Sequence, residues 1–410
     1  GIENYFDSIV LFPFKLSYLL LGVIQMKKLL SAILCISFIF TVFSFSATAE
    51  NETNLSLDAK SCILMEQTTG KILYAHNEHE RLYPASVTKI MPILLVMEAL
   101  DSGKIALTDV VTASTNAASK GGSQIWLKEG EQMTVDELLR ASVIASANDA
   151  CTALGEHIAG SEEGAVKMMN DRAKELGMND TNFDNCTGLD DDSTTHLTSA
   201  YDIAIMSKEL LSHERIKTYS TVWMDSLRDG ATELVNTNKL VRFYKGTTGL
   251  KTGTTSKAGH CISASAERNG LHLIAVVMGS STGTERFESA KTLLNWGFAN
   301  YETVTPQLDE NLLTEVNVIK GFEKTVFPVC EDIRPVILKS GMKSKIEAVV
   351  DVVTEVEEPV EENQILGTVR FVADGETICE YKLKSKNAVR KLKLTDILKS
   401  LLSSLSRKMV

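Results

Sequence analysis

Three short motifs in this chain bring together side chains suited to nucleophilic acyl transfer. The first is Ser86-Val87-Thr88-Lys89, at the entry to an apolar run. On a helix, a spacing of i, i+3 puts the hydroxyl and the amine on one face, one turn apart. A serine is a poor nucleophile unless a base sits within hydrogen-bond reach, and a desolvated lysine can be that base. The second is Ser146-Ala147-Asn148, which offers a hydroxyl for proton relay and an amide to hold a carbonyl or amide of a substrate. The third is Lys251-Thr252-Gly253, which offers a fixed positive charge, a hydroxyl and a position without a side chain where substrate can lie. Each motif alone is weak, since S-x-x-K recurs by chance on many surface helices. In this order on one chain they are specific.

The elements that must position these residues are mixed helix and strand. Ser61 to Glu66 and Lys71 to Ala75 flank Gln67-Thr68-Thr69-Gly70 and read as a hairpin. A helix is expected from Val87 to about Asp101, with Gly103 as its stop. Pro92 lies three residues after Lys89 and fits only if that helix starts close to Ser86, because proline cannot donate a backbone bond. Thr134-Val135-Asp136-Glu137 is a capping box opening Leu138 to Ala145, just before the second motif. Ser161 to Leu176 reads as a helix ending at Gly177. Gly259 to Ala266 and Leu271 to Met278 read as strands joined through Asn269-Gly270, and Phe287 to Phe298 as a closing helix. From Tyr301 the texture becomes valine-rich and alternating, over Glu315 to Ile319, Lys324 to Val329, Lys345 to Val353 and Leu366 to Phe371. An acidic stretch from Glu355 to Pro359 separates two of these, and the whole predicts a small β-rich domain over 301–385.

Composition narrows the function classes. The chain has 410 residues, 44% hydrophobic and 23% charged with 7 Pro, an ordinary globular balance that excludes a disordered or collagen-like protein. A net charge of −11 argues against a nucleic-acid partner. The 7 His are dispersed, with no H-E-x-x-H, and no C-x-x-C occurs, so neither a metal nor another cofactor is expected. Cys62, Cys151 and Cys261 lie in apolar surroundings and read as buried thiols, whereas Cys186, Cys330 and Cys379 are left undecided.

The two ends of the chain are expected to address it to a surface, the alternatives being an uncleaved N-terminal membrane anchor and a last helix packed on its own domain. Met26-Lys27-Lys28, the apolar run Leu29 to Phe45 and Ala47-Thr48-Ala49 have the layout of a signal peptide over 26–49, cleaved after Ala49. Residues 1–25 precede it and read as an extension upstream of the true start. At the other end, 386–410 carries seven basic residues against the single acid Asp396. Val389, Leu392, Ile397, Leu401 and Leu405 form an apolar helical face there. A basic amphipathic helix on an acidic body is expected to lie on a membrane surface.

The motif set resembles that of the penicillin-recognising serine enzymes, and the wider context is similar to the low-molecular-mass D-alanyl-D-alanine carboxypeptidases. The stretches that carry the likeness are Pro84-Ala85-Ser86, Ser146 to Ala150, Asn236-Thr237-Asn238, and Gly249 to Thr255 running on to Ala258-Gly259. Ala147 stands where many relatives have glycine. The resemblance implies an α/β (α+β) fold: a β-lactamase-like catalytic domain over 50–300, with an antiparallel sheet flanked by helices, then the small β domain and the amphipathic helix. It implies that Ser86 is the acylated nucleophile and Lys89 its base, with Ser146 and Asn148 relaying protons and orienting the substrate amide. Lys251 would assist electrostatically. Thr252, Gly253 and Thr254 would line the substrate, Thr252 at its terminal carboxylate, and the N–H groups of Ser86 and Thr254 would hold the oxyanion. Arg286 would be a second carboxylate contact; as a residue type alone it reads equally as an exposed helix-start arginine. His196 is expected to be structural. The implied substrate is a peptidoglycan stem ending in D-Ala-D-Ala, with β-lactams as covalent inhibitors, on the outer face of the cytoplasmic membrane. The rival readings are a class A-like β-lactamase, a non-catalytic peptidoglycan-binding scaffold and a transpeptidase, although enzymes of the last kind usually carry larger additional domains. Glu175, in Glu175-Leu176-Gly177-Met178-Asn179, superficially resembles the lactamase's water-activating glutamate, but its place at the end of an expected helix reads as a solvated residue.

Overall fold

In the computed structural model, residues 55–190 and 193–407 are described. The readings of 1–25 and of the signal peptide at 26–49 fall outside these residues. The chain separates into a unit ending at Leu55 and a second beginning at Ser56, and the architecture below belongs to the second.

Five strands form the central sheet: β1 (Ser61–Glu66), β2 (Ile72–His76), β3 (Thr247–Thr255), β4 (Gly259–Arg268) and β5 (Leu271–Ser280). Their order is β2-β1-β5-β4-β3, with every neighbour antiparallel. Every residue of β1 is buried, as are Leu273 to Met278 of β5, so both faces of the sheet are covered. Each such aliphatic side chain removed from water stabilises the fold by about 1.5–3 kcal/mol. The sequence reading placed Lys251-Thr252-Gly253 ahead of the first strand of the meander. The structure instead makes it the middle of β3, the edge strand.

The longer helices are α1 (Ile90–Asp101), α2 (Val135–Ile144), α3 (Asn148–Ala159), α4 (Glu162–Glu175), α5 (Ala200–Ser212) and α6 (Gly283–Asn300), with short helices and two two-stranded ribbons, Val110–Thr112 with Gln132–Thr134 and Met224–Leu227 with Thr232–Val235, between them. Helix α1 is buried from Ile90 to Met97, all the way round its axis, because α3, α4 and α5 pack against it. A tight 3-10 turn, Ala85–Lys89, precedes it, so the α-helix proper starts later than Val87. Pro92 then falls in the first turn, where backbone N–H groups have no intrahelical acceptor to lose. The capping box forms as read: Thr134 Oγ1 accepts from Glu137 N at 3.2 Å and Glu137 Oε2 accepts from Thr134 N at 2.8 Å. It starts α2 at Val135 rather than Leu138. Helix α6 also begins early, at Gly283, because Thr282 Oγ1 accepts from Glu285 N. This brings Arg286 into its first turn.

After α6 the chain is β-rich. Val316–Ile319 pairs with Thr325–Val326 and, in parallel, with Glu355–Glu357. The acidic separator is therefore itself a short strand. A four-stranded sheet joins Pro328–Val329, Glu376–Ser385, Ile365–Ala373 and Glu347–Val352. The last helix, α7 (Leu394–Arg407), starts later than expected. Val389 is not on its apolar face; it pairs with Val360 and is buried with Val316 and Leu366 in the β-rich core. The residues before α7 are held there too, with Arg390 stacked 3.6 Å over the Phe322 ring and Lys391 paired with Glu358. On α7, Leu394, Ile397, Leu398, Leu401 and Leu402 are exposed. No helix among the described residues is long and apolar enough to cross a membrane. All six described cysteines are free, and Cys62, Cys151, Cys186 and Cys261 are buried.

Helix α6 lies so close to the sheet that a Cβ at Gly297 would stand 2.6 Å from Leu273 Cδ1 and 2.8 Å from Leu64 Cδ2. Gly297→Ala should therefore destabilise the protein by about 1–3 kcal/mol through overpacking. Denaturant unfolding of the two proteins side by side measures this, and equal midpoints would show that the methyl groups yield freely.

Candidate active site

Ser86 is half-buried in the 3-10 turn, and Ala85 before it takes the left-handed backbone, φ 49°. One turn on, Lys89 is fully buried. Its Nζ donates to Ser86 Oγ at 2.7 Å and to the Thr187 carbonyl at 3.1 Å. Burial disfavours the ammonium, bringing the pKa down to about 8. A lysine so placed is neutral for part of the time near neutral pH, and a neutral amine can accept the serine proton across the same contact.

The second motif joins α2 to α3. Ser146 also takes φ 62°, an unfavourable conformation for a residue with a side chain, held because α2 and α3 fix both its flanks. Ala147 adopts φ −62°, an ordinary backbone for a residue with a side chain. Asn148 N donates to Ser123 O, and Asn148 Nδ2 donates to Gly121 O at 2.6 Å. Its Oδ1 is buried without a partner, an acceptor left open for an incoming N–H.

The third motif runs along β3 beside the turn. A Cβ at Gly253 would lie 2.7 Å from Pro84 O and 2.8 Å from Ser86 N, so only glycine keeps the Ser86 N–H uncovered. Thr252 Oγ1 donates to Thr237 Oγ1 at 2.8 Å. Lys251 is buried and its Nζ donates to Thr252 O at 3.0 Å. Burial, then Lys89 and Arg286, push its pKa well below the lysine range. Its ammonium form is therefore disfavoured.

Arg286 is the third cation at this strand. Its Nη1 donates to Gly253 O and Thr254 Oγ1, both at 2.9 Å, and to Cys261 O at 3.2 Å. Burial lowers its pKa from the ordinary arginine value. A guanidinium starts so high on the pH scale that it stays charged here. The alternative of an exposed helix-start arginine gives way: Arg286 does start α6, but it is clamped onto the end of β3. Its Nε is buried with no partner.

A loop the motifs do not announce completes the site. Asn185 Oδ1 accepts from Thr187 N, Thr187 Oγ1 and Gly188 N, and so aims the Thr187 carbonyl at Lys89. Asp190 Oδ2 accepts from Thr255 Oγ1 at 2.6 Å, tying this loop to β3. The only sequence signal was a dense run of turn-forming residues from Asp184 to Asp190. His196 anchors the loop from behind: its Nδ1 accepts from Asp184 N, its Nε2 donates to Thr88 Oγ1, and burial lowers its pKa to about 4. It is a neutral strut. Glu175 lies at the exposed end of α4, paired with Arg172 at 3.1 Å.

Comparison with known proteins follows the same outline. Residues 46–282 match the family model described as D-alanyl-D-alanine carboxypeptidase, and 301–391 match the penicillin-binding protein 5 C-terminal domain. The D-alanyl-D-alanine carboxypeptidase DacF of Bacillus subtilis is 42% identical, over 91% of this chain and 97% of its own length. The crystal structure of penicillin-binding protein 5 from Haemophilus influenzae superposes with a TM-score of 0.70 at 32% identity, covering 83% of this chain and 99% of that one. Penicillin-binding protein D2 from Listeria monocytogenes, solved in an ampicillin-bound form, is similar over 60% of this chain and 99% of its own, with a TM-score of 0.53 and 30% identity.

The depressed pKa of Lys89 sets a pH profile. The basic form accumulates as pH rises through about 8. Acylation of Ser86 by a soluble ester should thus gain about tenfold per pH unit below that point and level off above it. A stopped-flow profile still climbing at pH 10, as for an unperturbed lysine, would contradict this arrangement.

Proposed function

The chain belongs to the D-alanyl-D-alanine carboxypeptidase family, and we propose that it removes the terminal D-alanine from peptidoglycan stems through an acyl-enzyme on Ser86. It is a serine-type peptidase that acts on the cell wall. The observation that carries the assignment of Ser86 is the buried Lys89 amine 2.7 Å from its hydroxyl. Neutral Lys89 takes the Ser86 proton as Oγ attacks the carbonyl of the penultimate D-alanine. The Ser86 and Thr254 N–H groups receive the oxyanion. Asn148 Oδ1 accepts a stem amide N–H, and the Ser146 hydroxyl passes a proton to the departing amine. The terminal carboxylate meets Thr252, Thr254 and the Arg286 guanidinium, whose charge persists across the working pH. Water then attacks the ester with Lys89 again as base, releasing the shortened stem.

β-Lactams, which relatives bind, enter as covalent inhibitors at the same serine. The lactamase alternative needs a carboxylate that activates water in the site. Glu175, its nearest sequence counterpart, is engaged with Arg172 at the far end of α4. The scaffold alternative fits poorly with Ser86, Lys89 and Lys251 all present and in register.

The signal peptide at 26–49 exports the chain, and attachment is to the outer face of the cytoplasmic membrane. The exposed Leu394, Ile397, Leu398, Leu401 and Leu402 of α7, among basic residues, support peripheral binding through the chain end, originally read as 386–410. Residues 386–393 are built into the β-rich domain, so the deletion that tests the anchor starts at Leu394.

Ser86→Ala should abolish both pentapeptide turnover and labelling by penicillin. Retained labelling would place the nucleophile elsewhere, and rapid loss of the wild-type adduct with hydrolysed drug would favour the lactamase. Deleting 394–410 should shift activity from the membrane pellet to the supernatant with kcat unchanged. Unaltered partitioning would remove the anchor role.

A further inference from the structure

Trp126 is 73% exposed, the most exposed aromatic ring among the large apolar side chains on the described surface, and its backbone is left-handed at φ 61°. Both features are unfavourable, yet the residue is held rigidly. Ile125 and Leu127 on either side are buried, and their N–H groups donate to the Asp149 carboxylate, Leu127 N at 3.0 Å. Asp149 directly follows Asn148 of the active site. From the opposite side, Arg228 Nη1 donates to Ile125 O at 2.7 Å. The indole is thus presented on a rail bolted to the second motif.

A cleft opens beside it, lined by Trp126, Lys128, Glu129, Gly130, Glu131 and Arg228. Arg228 Nε donates to Glu131 Oε1 at 2.8 Å, while its Nη2 is buried with no partner. Two cations and two carboxylates line the cleft and their formal charges cancel, so neither an anion nor a cation is favoured. An uncharged ring with hydroxyls fits better: its C–H face stacks on indole, and its oxygens take the forked donors and acceptors at the rim.

We propose that this cleft is a subsite for the glycan of peptidoglycan, with a pyranose ring stacked on Trp126. The proposal rests on the stem-peptide reading of the active site and extends it to the sugar that carries the stem. With the scissile bond at Ser86, the remaining stem residues span about 12 Å when extended, which carries the attached sugar beyond the groove onto neighbouring surface. Trp126 stands close to the second motif: Ser123, three residues before it, accepts from Asn148 N through its carbonyl.

The test compares a free pentapeptide with the same peptide attached to its disaccharide, using the full exported chain. Trp126→Ala should raise KM for the disaccharide-linked substrate about five- to tenfold, and leave kcat and KM for the free pentapeptide within about twofold. Trp126→Phe should recover part of the loss, as a smaller ring still stacks. Disaccharide lacking any peptide should quench wild-type tryptophan fluorescence and leave that of Trp126→Phe unchanged. Equal losses on both substrates would make Trp126 a support for the active site and overturn the subsite. Unchanged KM on both, or identical quenching in the variant, would also overturn it. Free-pentapeptide turnover and penicillin labelling in the wild type report separately on the carboxypeptidase reading.

Discussion

A lysine amine enclosed by protein is the constraint on which the rest of this structure depends. Taking Lys89 out of water penalises its charged form, and that penalty brings its pKa down to about 8. The penalty must be met by partners, and the fold supplies two, Ser86 Oγ and the Thr187 carbonyl. The carbonyl is aimed by a loop that Asn185 organises and His196 backs. The wall that keeps water out is α1, buried over its first eight residues among three other helices. Packing and chemistry are the same requirement here.

A second constraint is that the site spans two layers. Ser86 belongs to the helical layer and Thr252 to Thr254 belong to the edge of the sheet. They meet because Gly253 has no side chain to hold β3 away from Pro84 and Ser86. Asp190 with Thr255, and Thr237 with Thr252, fasten the same strand to the loops on either side. Three cationic side chains converge on this seam. Two are lysines whose charged form is disfavoured by burial and, for Lys251, by its cationic neighbours; the third is an arginine whose charge survives. Burial acts differently on the two types because a guanidinium starts far higher on the pH scale than an ammonium.

Beyond the catalytic layers, the β-rich domain reaches further along the chain than its valine pattern suggests. It draws in Val389, Arg390 and Lys391 before α7 begins. A charged residue next to an apolar one looks the same in sequence whether it starts an exposed helix or closes a sheet. Glu355 to Glu357 illustrates the point: Val356 packs inward while its acidic neighbours face solvent, which is how an edge strand alternates.

The amino-acid sequence alone determined which residues stand one helical turn apart, where caps and glycines stop elements, and that three motifs follow in a fixed order. These are local properties, set by spacing and by backbone preferences over a few residues. It also carried the antiparallel hairpin of β4 and β5, through Asn269-Gly270, and the mixed fold class. It did not determine that burial would disfavour the Lys251 ammonium or that Arg286 would be clamped to Gly253 and Thr254. Nor did it reveal that the run from Asp184 to Asp190 would set the Thr187 carbonyl against Lys89. Those depend on how much water is excluded and on which distant groups arrive together, and desolvation and long-range hydrogen bonds exist only once the layers have packed.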